Sequence, residues 1–312
     1  MTLVSDIILP IFGLVILGFV AGKVGWIKTT AIEGLSTFVF TFAIPVMLFR
    51  SIALADLPED IPWVFLSGYY GATLLLFAVT LIIGRLLQLD GVASSIFAMS
   101  ASYSNVVLLG IPLIVASMGD DANVPLFIII STHAAVMFLI TTFCAETARG
   151  DRQNLATLPY QTLLVLARNM IVVGLVLGLA VNLSGLALPR TLDNMAAYLG
   201  SAALPCAVFS MGASISQYRI SGDLLKISLA IGLKNLLHPL LVWLVCSQLL
   251  DLPASWTAVA VILAACPSGI NAYLFANRYQ AIVPSTATVV VLSTLISIPV
   301  LSLVLFLMVK GV

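Results

Sequence analysis

The sequence predicts an all-α integral membrane protein of ten transmembrane helices, arranged as two inverted five-helix repeats. Three observations predict it. The 312 residues are 61% hydrophobic and 8% charged, against about 25% charged in a soluble domain, and the mean hydropathy is +1.17. The apolar residues fall into ten runs, each near the roughly 20 residues that cross a bilayer core. Two of those runs, the fourth of each set of five, are broken by polar, Gly and Pro residues in matching places.

The spans lie at about 4–24, 32–54, 62–88, 91–117, 123–144, 162–182, 191–216, 224–249, 255–277 and 283–309. They divide the chain into a first repeat over 1–144, a cytoplasmic loop over 145–161 and a second repeat over 162–312. The loop carries Glu146, Arg149, Asp151 and Arg152, and is too short for a domain. The first run begins near Val4 without a basic region before it, so it reads as a span rather than a cleaved signal. Lys and Arg set the orientation. With the N-terminus outside, Lys23, Lys28, Arg85, Arg149, Arg152, Arg219, Lys226 and Arg278 face the cytoplasm, against Arg50, Arg190 and Lys310 outside. Arg168 snorkels from the cytoplasmic end of span six. Asp56, Glu59, Asp60, Asp120 and Asp121 then fall outside, and so do both termini, at a cell inner (plasma) membrane.

Net charge is zero, which gives no reason to expect a nucleic-acid partner. Cys144, Cys206, Cys246 and Cys266 lie in or beside apolar runs without metal-ligand spacing and read as small packing residues. No metal, cofactor or enzymatic centre is expected, because no nucleophile–base or paired-carboxylate arrangement is visible.

The repeat appears when the first 50-odd residues slide forward by 160. Leu17, Gly18, Gly25, Ala43, Pro45, Phe49 and Ala53 then fall on Leu177, Gly178, Gly185, Ala203, Pro205, Phe209 and Ala213. Five spans is an odd number, so the second copy starts on the opposite side of the membrane. Pro45 and Pro205 sit in almost wholly apolar surroundings and read as packing kinks.

The broken runs are Ser102 to Pro112, with Ser104, Asn105, Gly110 and Pro112, and Ala265 to Ala272, with Pro267, Ser268, Gly269 and Asn271. Proline removes a backbone donor, and Gly110 is expected to ease an unusual backbone angle. Backbone groups freed at bilayer depth must meet protein, water or a ligand. Paired breaks in equivalent halves are a pointer to a secondary transporter's substrate site, and half-helix N-termini suit carboxylates.

Three ionisable residues fall within spans. Lys234 lies eight residues beyond Lys226, about 12 Å deeper along a helix, so it is a candidate for pairing with a substrate carboxylate, standing in for a coupling cation or titrating. His238 follows one turn later, before Pro239, and reads either as a coupling residue or as a hydrogen-bonded kink. His133, after Ser131 and Thr132, reads as a proton carrier or as a helix–helix hydrogen bond. No Asp or Glu is clearly mid-span, which weakens strong sodium coupling, although carbonyls also bind Na⁺.

These residues resemble the auxin efflux carrier family in its compact bacterial form, over the whole chain. The resemblance is carried by Asn105 with Gly110-Ile111-Pro112-Leu113, and by Pro267 to Asn271 running on to Phe275-Ala276-Asn277-Arg278-Tyr279. Ile44-Pro45 with Phe49, Leu204-Pro205 with Phe209, Gly212-Ala213-Ser214 and Ser293-Thr294-Leu295-Ile296-Ser297 support it. It implies a scaffold of helices 1, 2, 6 and 7, and a transport domain of helices 3–5 and 8–10. It also implies helices 4 and 9 crossing at their breaks, an elevator mechanism and a homodimer. The implied substrates are small organic anions, auxin-like or dicarboxylates such as malonate. Asn105 and Pro112 match the substrate-contacting region of span four, and Pro267 and Asn271 that of span nine. The sequence departs at Ala272, where plant carriers have a further proline, so this break leans on Pro267 and Gly269. The expectation is a carboxylate carrier, coupled to H⁺ or Na⁺ or uncoupled. The alternatives are a sodium-coupled bile-acid-type symporter and an anion channel.

Overall fold

The computed structural model describes residues 4–309 apart from 56, 58–61, 120–121, 151–156, 158–159, 161–163 and 165–166. Among the charges used to orient the chain or to read the 145–161 loop, Asp56, Glu59, Asp60, Asp120, Asp121, Asp151, Arg152 and Lys310 lie outside the described residues.

The described residues are helical, without a strand. We number the helices α1 Leu9–Val24, α2 Thr29–Phe38, α3 Ile44–Ala53, α4 Trp63–Leu86, α5 Gly91–Ser102, α6 Ile111–Met118 and α7 Asn123–Arg149. They continue as α8 Met170–Ser184, α9 Arg190–Ile215, α10 Leu224–Gly232, α11 His238–Trp243, α12 Ala254–Ala265, α13 Ile270–Tyr279 and α14 Val283–Val309. Among the described residues, seven continuous helical stretches are long and apolar enough to cross a membrane. Spans four and nine are each cut into two shorter helices, and the sixth apolar run is represented by α8.

Several element ends differ from the sequence reading. Helix α7 runs on to Arg149, because nothing in Ala145-Glu146-Thr147-Ala148 breaks a helix. Helix α8 begins at Met170, where the Asn169 side chain caps the Ile171 amide at 3.0 Å. Hydropathy alone does not register such a cap.

The prolines explain most of the local irregularity. π-helical turns at Val4–Ile8, Val39–Ala43, Val106–Gly110 and Leu233–Leu237 each end two residues before a proline: Pro10, Pro45, Pro112 and Pro239. A proline donates no hydrogen bond and its ring crowds the carbonyl one turn back. Widening the preceding turn relieves that clash while the helix continues. Gly110 sits at φ −61°, ψ −49°, so the unusual backbone angle expected there is not used. The π turn absorbs Pro112 instead. Pro205 lies inside continuous α9, so the two prolines aligned by the 160-residue shift differ in how their helices respond.

By contact the chain forms two compact units. The first holds Met1–Ile61, Val107–Ser131 and Leu163–Gln217; the second holds Pro62–Val106, Thr132–Thr162 and Tyr218–Val312. In the first unit, glycines let backbones touch. A side-chain carbon at Gly18 would lie 2.1 Å from the Phe209 carbonyl oxygen, and one at Gly178 would lie 2.6 Å from that of Phe49. Gly18 and Phe49 become Gly178 and Phe209 under the 160-residue shift, so α1 meets α9 as α8 meets α3. Arg50 and Asp193 form an ion pair at 2.6 Å in the same unit. The second unit buries a core around Phe77, Met99, Tyr103, Met137 and Phe275.

Candidate substrate and coupling site

The two breaks meet inside the second unit. Helix α5 ends at Ser102 and helix α12 at Ala265, and the residues that follow turn extended: Tyr103 has ψ 114°, Cys266 ψ 148° and Gly269 ψ 150°. Pro267 drives Cys266 out of the helical region, because its ring clashes with a helical neighbour before it. Ser104 and Ser268 pair as an isolated antiparallel bridge. The Asn105 amide donates to the Pro267 carbonyl at 2.9 Å, and the Gly269 amide to the Tyr103 carbonyl at 3.0 Å. Each break therefore satisfies the other's backbone, as hydrocarbon surroundings require.

Gly269 is needed for space rather than for its backbone angle. Its φ is −75°, yet a side-chain carbon there would lie 2.4 Å from the Tyr103 ring. The ring lies against that backbone and stacks on His133 with centroids 4.9 Å apart. Its hydroxyl accepts a 2.7 Å hydrogen bond from Asn271 Nδ2, in the first turn of α13. Asn105 and Ser104 are buried at the meeting point. Gly110 and Pro112 lie further along the chain, in the π turn and at the start of α6, and belong to the first unit. The structure thus brings Ser104, Asn105, Pro267, Ser268, Gly269 and Asn271 together and leaves Gly110 and Pro112 outside that cluster.

Proton positions around the ionisable residues follow from their partners. His133 Nε2 accepts the Ser104 amide at 3.1 Å. It therefore carries no hydrogen, and Nδ1 faces the Tyr69 hydroxyl at 3.5 Å as the protonated nitrogen. Thr73 Oγ1 gives its single hydrogen to the Tyr69 carbonyl at 2.7 Å, so it must accept from His238 Nε2 at 3.0 Å. His238 Nδ1 is then an acceptor and takes a hydrogen from Lys234 Nζ at 3.2 Å. Lys234 Nζ also donates to the Ala264 carbonyl at 2.6 Å, two residues before the second break. With a neutral His238 ring the result is a directed chain, Lys234 to His238 to Thr73 to the Tyr69 carbonyl.

Lys234 is fully buried and sits in the π turn before Pro239. Among the described residues the ion pairs are Arg50–Asp193 and Lys226–Asp223, so none supplies Lys234 with a carboxylate. A buried ammonium without a counter-charge carries a cost of several kcal/mol.

Sequence reasoning missed several residues of this cluster. Tyr69, Tyr70 and Thr73 on α4 join it through His133, Thr132 and His238. Asn235 Nδ2 donates to the Ser293 carbonyl at 3.1 Å, and Ser293 Oγ accepts the Ser268 amide at 3.1 Å. The signals were present as polar residues in apolar runs, the Tyr69-Tyr70 pair between Gly68 and Gly71 and Asn235 beside Lys234, but neither forms part of a matched pair of breaks.

The comparisons agree with a membrane carrier. A family model described as "Membrane transport protein" matches residues 3–305. A protein of Rhizobium meliloti (strain 1021) named "Putative malonate transporter" is 25% identical over 309 residues, covering 99% of this chain and 97% of that protein. The "Lysosomal cholesterol signaling protein" of Mus musculus is 24% identical over 319 residues, covering 94% of this chain and 36% of that longer protein. The match over nearly the whole chain places this protein in the membrane transport protein family, that of the auxin efflux carriers.

Proposed function

We propose that this chain is a secondary transporter of a small organic anion carrying at least one carboxylate, with dicarboxylates such as malonate as the first candidates. The observation that carries the proposal is Lys234. It is a fully buried lysine with no carboxylate partner among the described residues, hydrogen-bonded two residues before a helix break. A substrate carboxylate would supply the missing counter-charge, and Ser104, Asn105 and Asn271 would orient it. The name of the Rhizobium meliloti relative supports the same substrate class.

We read the architecture as ten membrane helices in two inverted repeats with helices 4 and 9 crossing. The reciprocal Gly18–Phe209 and Gly178–Phe49 contacts support the repeat, and the Ser104–Ser268 bridge supports the crossing. We assign scaffold and transport roles to helices 1, 2, 6, 7 and to helices 3–5, 8–10 respectively, in an elevator-type cycle. The paired breaks, Lys234, His133 and His238 all lie within one compact unit, so an anion bound there would travel with that unit. The homodimer, the inner-membrane location and the outside placement of both termini belong to the same proposal.

For coupling we favour a proton, because Lys234 and His238 already share a hydrogen bond whose direction depends on their protonation. One observation favours the sodium-coupled reading. Asn235 Oδ1 and Ser268 Oγ are buried oxygens without a partner, and both residues hydrogen-bond to Ser293. Uptake of labelled malonate and monocarboxylates into proteoliposomes, under an imposed pH gradient or an imposed Na⁺ gradient, tests both. Stimulation by the pH gradient alone supports the favoured reading, and stimulation by Na⁺ alone supports the second. Saturable uptake with neither gives a uniporter, and channel-sized conductance in planar bilayers would overturn the carrier.

A further inference from the structure

Away from the paired breaks, the second unit has an open groove of about 520 Å³ where the ends of α4, α7 and α13 meet the start of α5. One guanidinium lines it and a second reaches Gly91 in its wall. Arg149 lines the groove, with its Cζ 4.6 Å from the Tyr279 ring centroid and one N–H on the Tyr279 carbonyl at 3.3 Å. The Arg85 guanidinium lies against Gly91, where a side-chain carbon would come within 2.6 Å of its Nη2. Neither arginine is in an ion pair among the described residues. One carboxylate, Asp90, also lines the groove, and a second, Glu146, lies behind Tyr279; each has an internal partner. Asp90 caps the Ala93 amide at 2.8 Å, and buried Glu146 accepts the Tyr279 hydroxyl at 2.8 Å.

The rest of the lining is apolar or strained. Leu89, Val92 and Ala281 give it a greasy wall. Gln88, Gln280 and Ile282 hold φ of 60°, 51° and 43°. A β-branched residue in that region is a genuine outlier, and strain of this kind persists where surrounding structure over-determines it. We propose that this groove binds a phosphate or phosphodiester anion, with Arg85 and Arg149 as its ligands and the apolar wall as the seat of any attached chain. Arg suits planar, multidentate phosphate recognition. Basic pockets at the ends of membrane helices take acidic lipid headgroups, and a free phosphate offers the same chemistry.

The test is thermal unfolding of the full-length protein in detergent with added phosphatidylglycerol, phosphatidylcholine or inorganic phosphate. The variants are Arg85→Gln/Arg149→Gln and the charge-preserving Arg85→Lys/Arg149→Lys. At about 100 times its Kd, a ligand of the native state raises the melting temperature by several degrees. The expected result is such a rise with phosphatidylglycerol but not phosphatidylcholine, lost in the Gln pair and at least half retained in the Lys pair. A rise with inorganic phosphate as well assigns the site to a soluble phosphate. No rise in the wild type with either anion, or an undiminished rise in the Gln pair, overturns the proposal.

Discussion

The two compact units differ most in what they bury. Among the described residues, every buried polar or charged side chain except Ser210 and Ser216 belongs to the second unit. Those two donate to α9, at Ala207 and Ala213, and Ser216 Oγ also accepts from the neighbouring Gln217 side chain. The first unit buries glycine instead, bringing helix backbones into contact at Gly18, Gly174, Gly178 and Gly212. Small residues are the usual means of packing helices in lipid, where no hydrophobic force acts between them. Polar groups at such depth are costly and are characteristically functional. The contrast separates a region built for close packing from one built to present chemistry, and it can be broken from either side.

The largest expected effect is at Lys234. Lys234→Met removes the proposed counter-charge, and loss of one partner of a buried charged pair costs about 2–5 kcal/mol, a fall in anion affinity of at least about thirtyfold. Equilibrium binding of labelled malonate measures it. Unchanged affinity would leave Lys234 a structural residue. Next is Gly269→Ala, which forces the Tyr103 ring off the break and disturbs its bond to Asn271. We expect transport to drop about tenfold, with about 1–3 kcal/mol lost from overpacking, read by uptake and melting together.

In the first unit the reciprocal contacts predict matched losses. Gly18→Ala and Gly178→Ala should each destabilise by about 1–3 kcal/mol and leave substrate affinity unchanged. A large difference between them in chemical unfolding would argue against the repeat relation. The smallest effect concerns Asp223, whose carboxyl is held below the ordinary value of 3.8 by its hydrogen bond from the Lys226 side chain and by the Lys226 and Leu225 amides. The folded value is depressed, so this contribution is present above the ordinary carboxylate value and fades as pH falls through the folded one. Asp223→Asn should therefore flatten the acid side of the melting profile slightly, and an unchanged acid slope would show that the contact contributes nothing.

Much of this was legible in the sequence, for physical reasons. Lipid demands long apolar runs and punishes unpaired backbone, so the composition and the two breaks announce themselves. Gly18 and Gly178 stood out under the 160-residue shift because close packing restricts residue type so tightly. Within the first broken run, Ser102 to Pro112, the point where the chain leaves the helix was not legible. Gly110 and Pro112 drew attention through their residue types, yet a π turn absorbs the proline, and the chain leaves the helix earlier, at Tyr103. Gly269 was expected to help break a helix, whereas its role is to leave room for the Tyr103 ring. Tyr69, Thr73 and Ser293 join the site through tertiary contacts, which periodicity and hydropathy do not encode.

The central claim is that a carboxylate completes the buried charge at Lys234 beside the paired breaks. Competition against bound labelled malonate by unlabelled malonate and by neutral malonamide, on wild type and Lys234→Met, tests it most directly. The account predicts that malonate competes and malonamide does not in the wild type, and that the variant loses that discrimination together with its affinity. Equal competition by the neutral amide in the wild type, or intact discrimination in the variant, would contradict it.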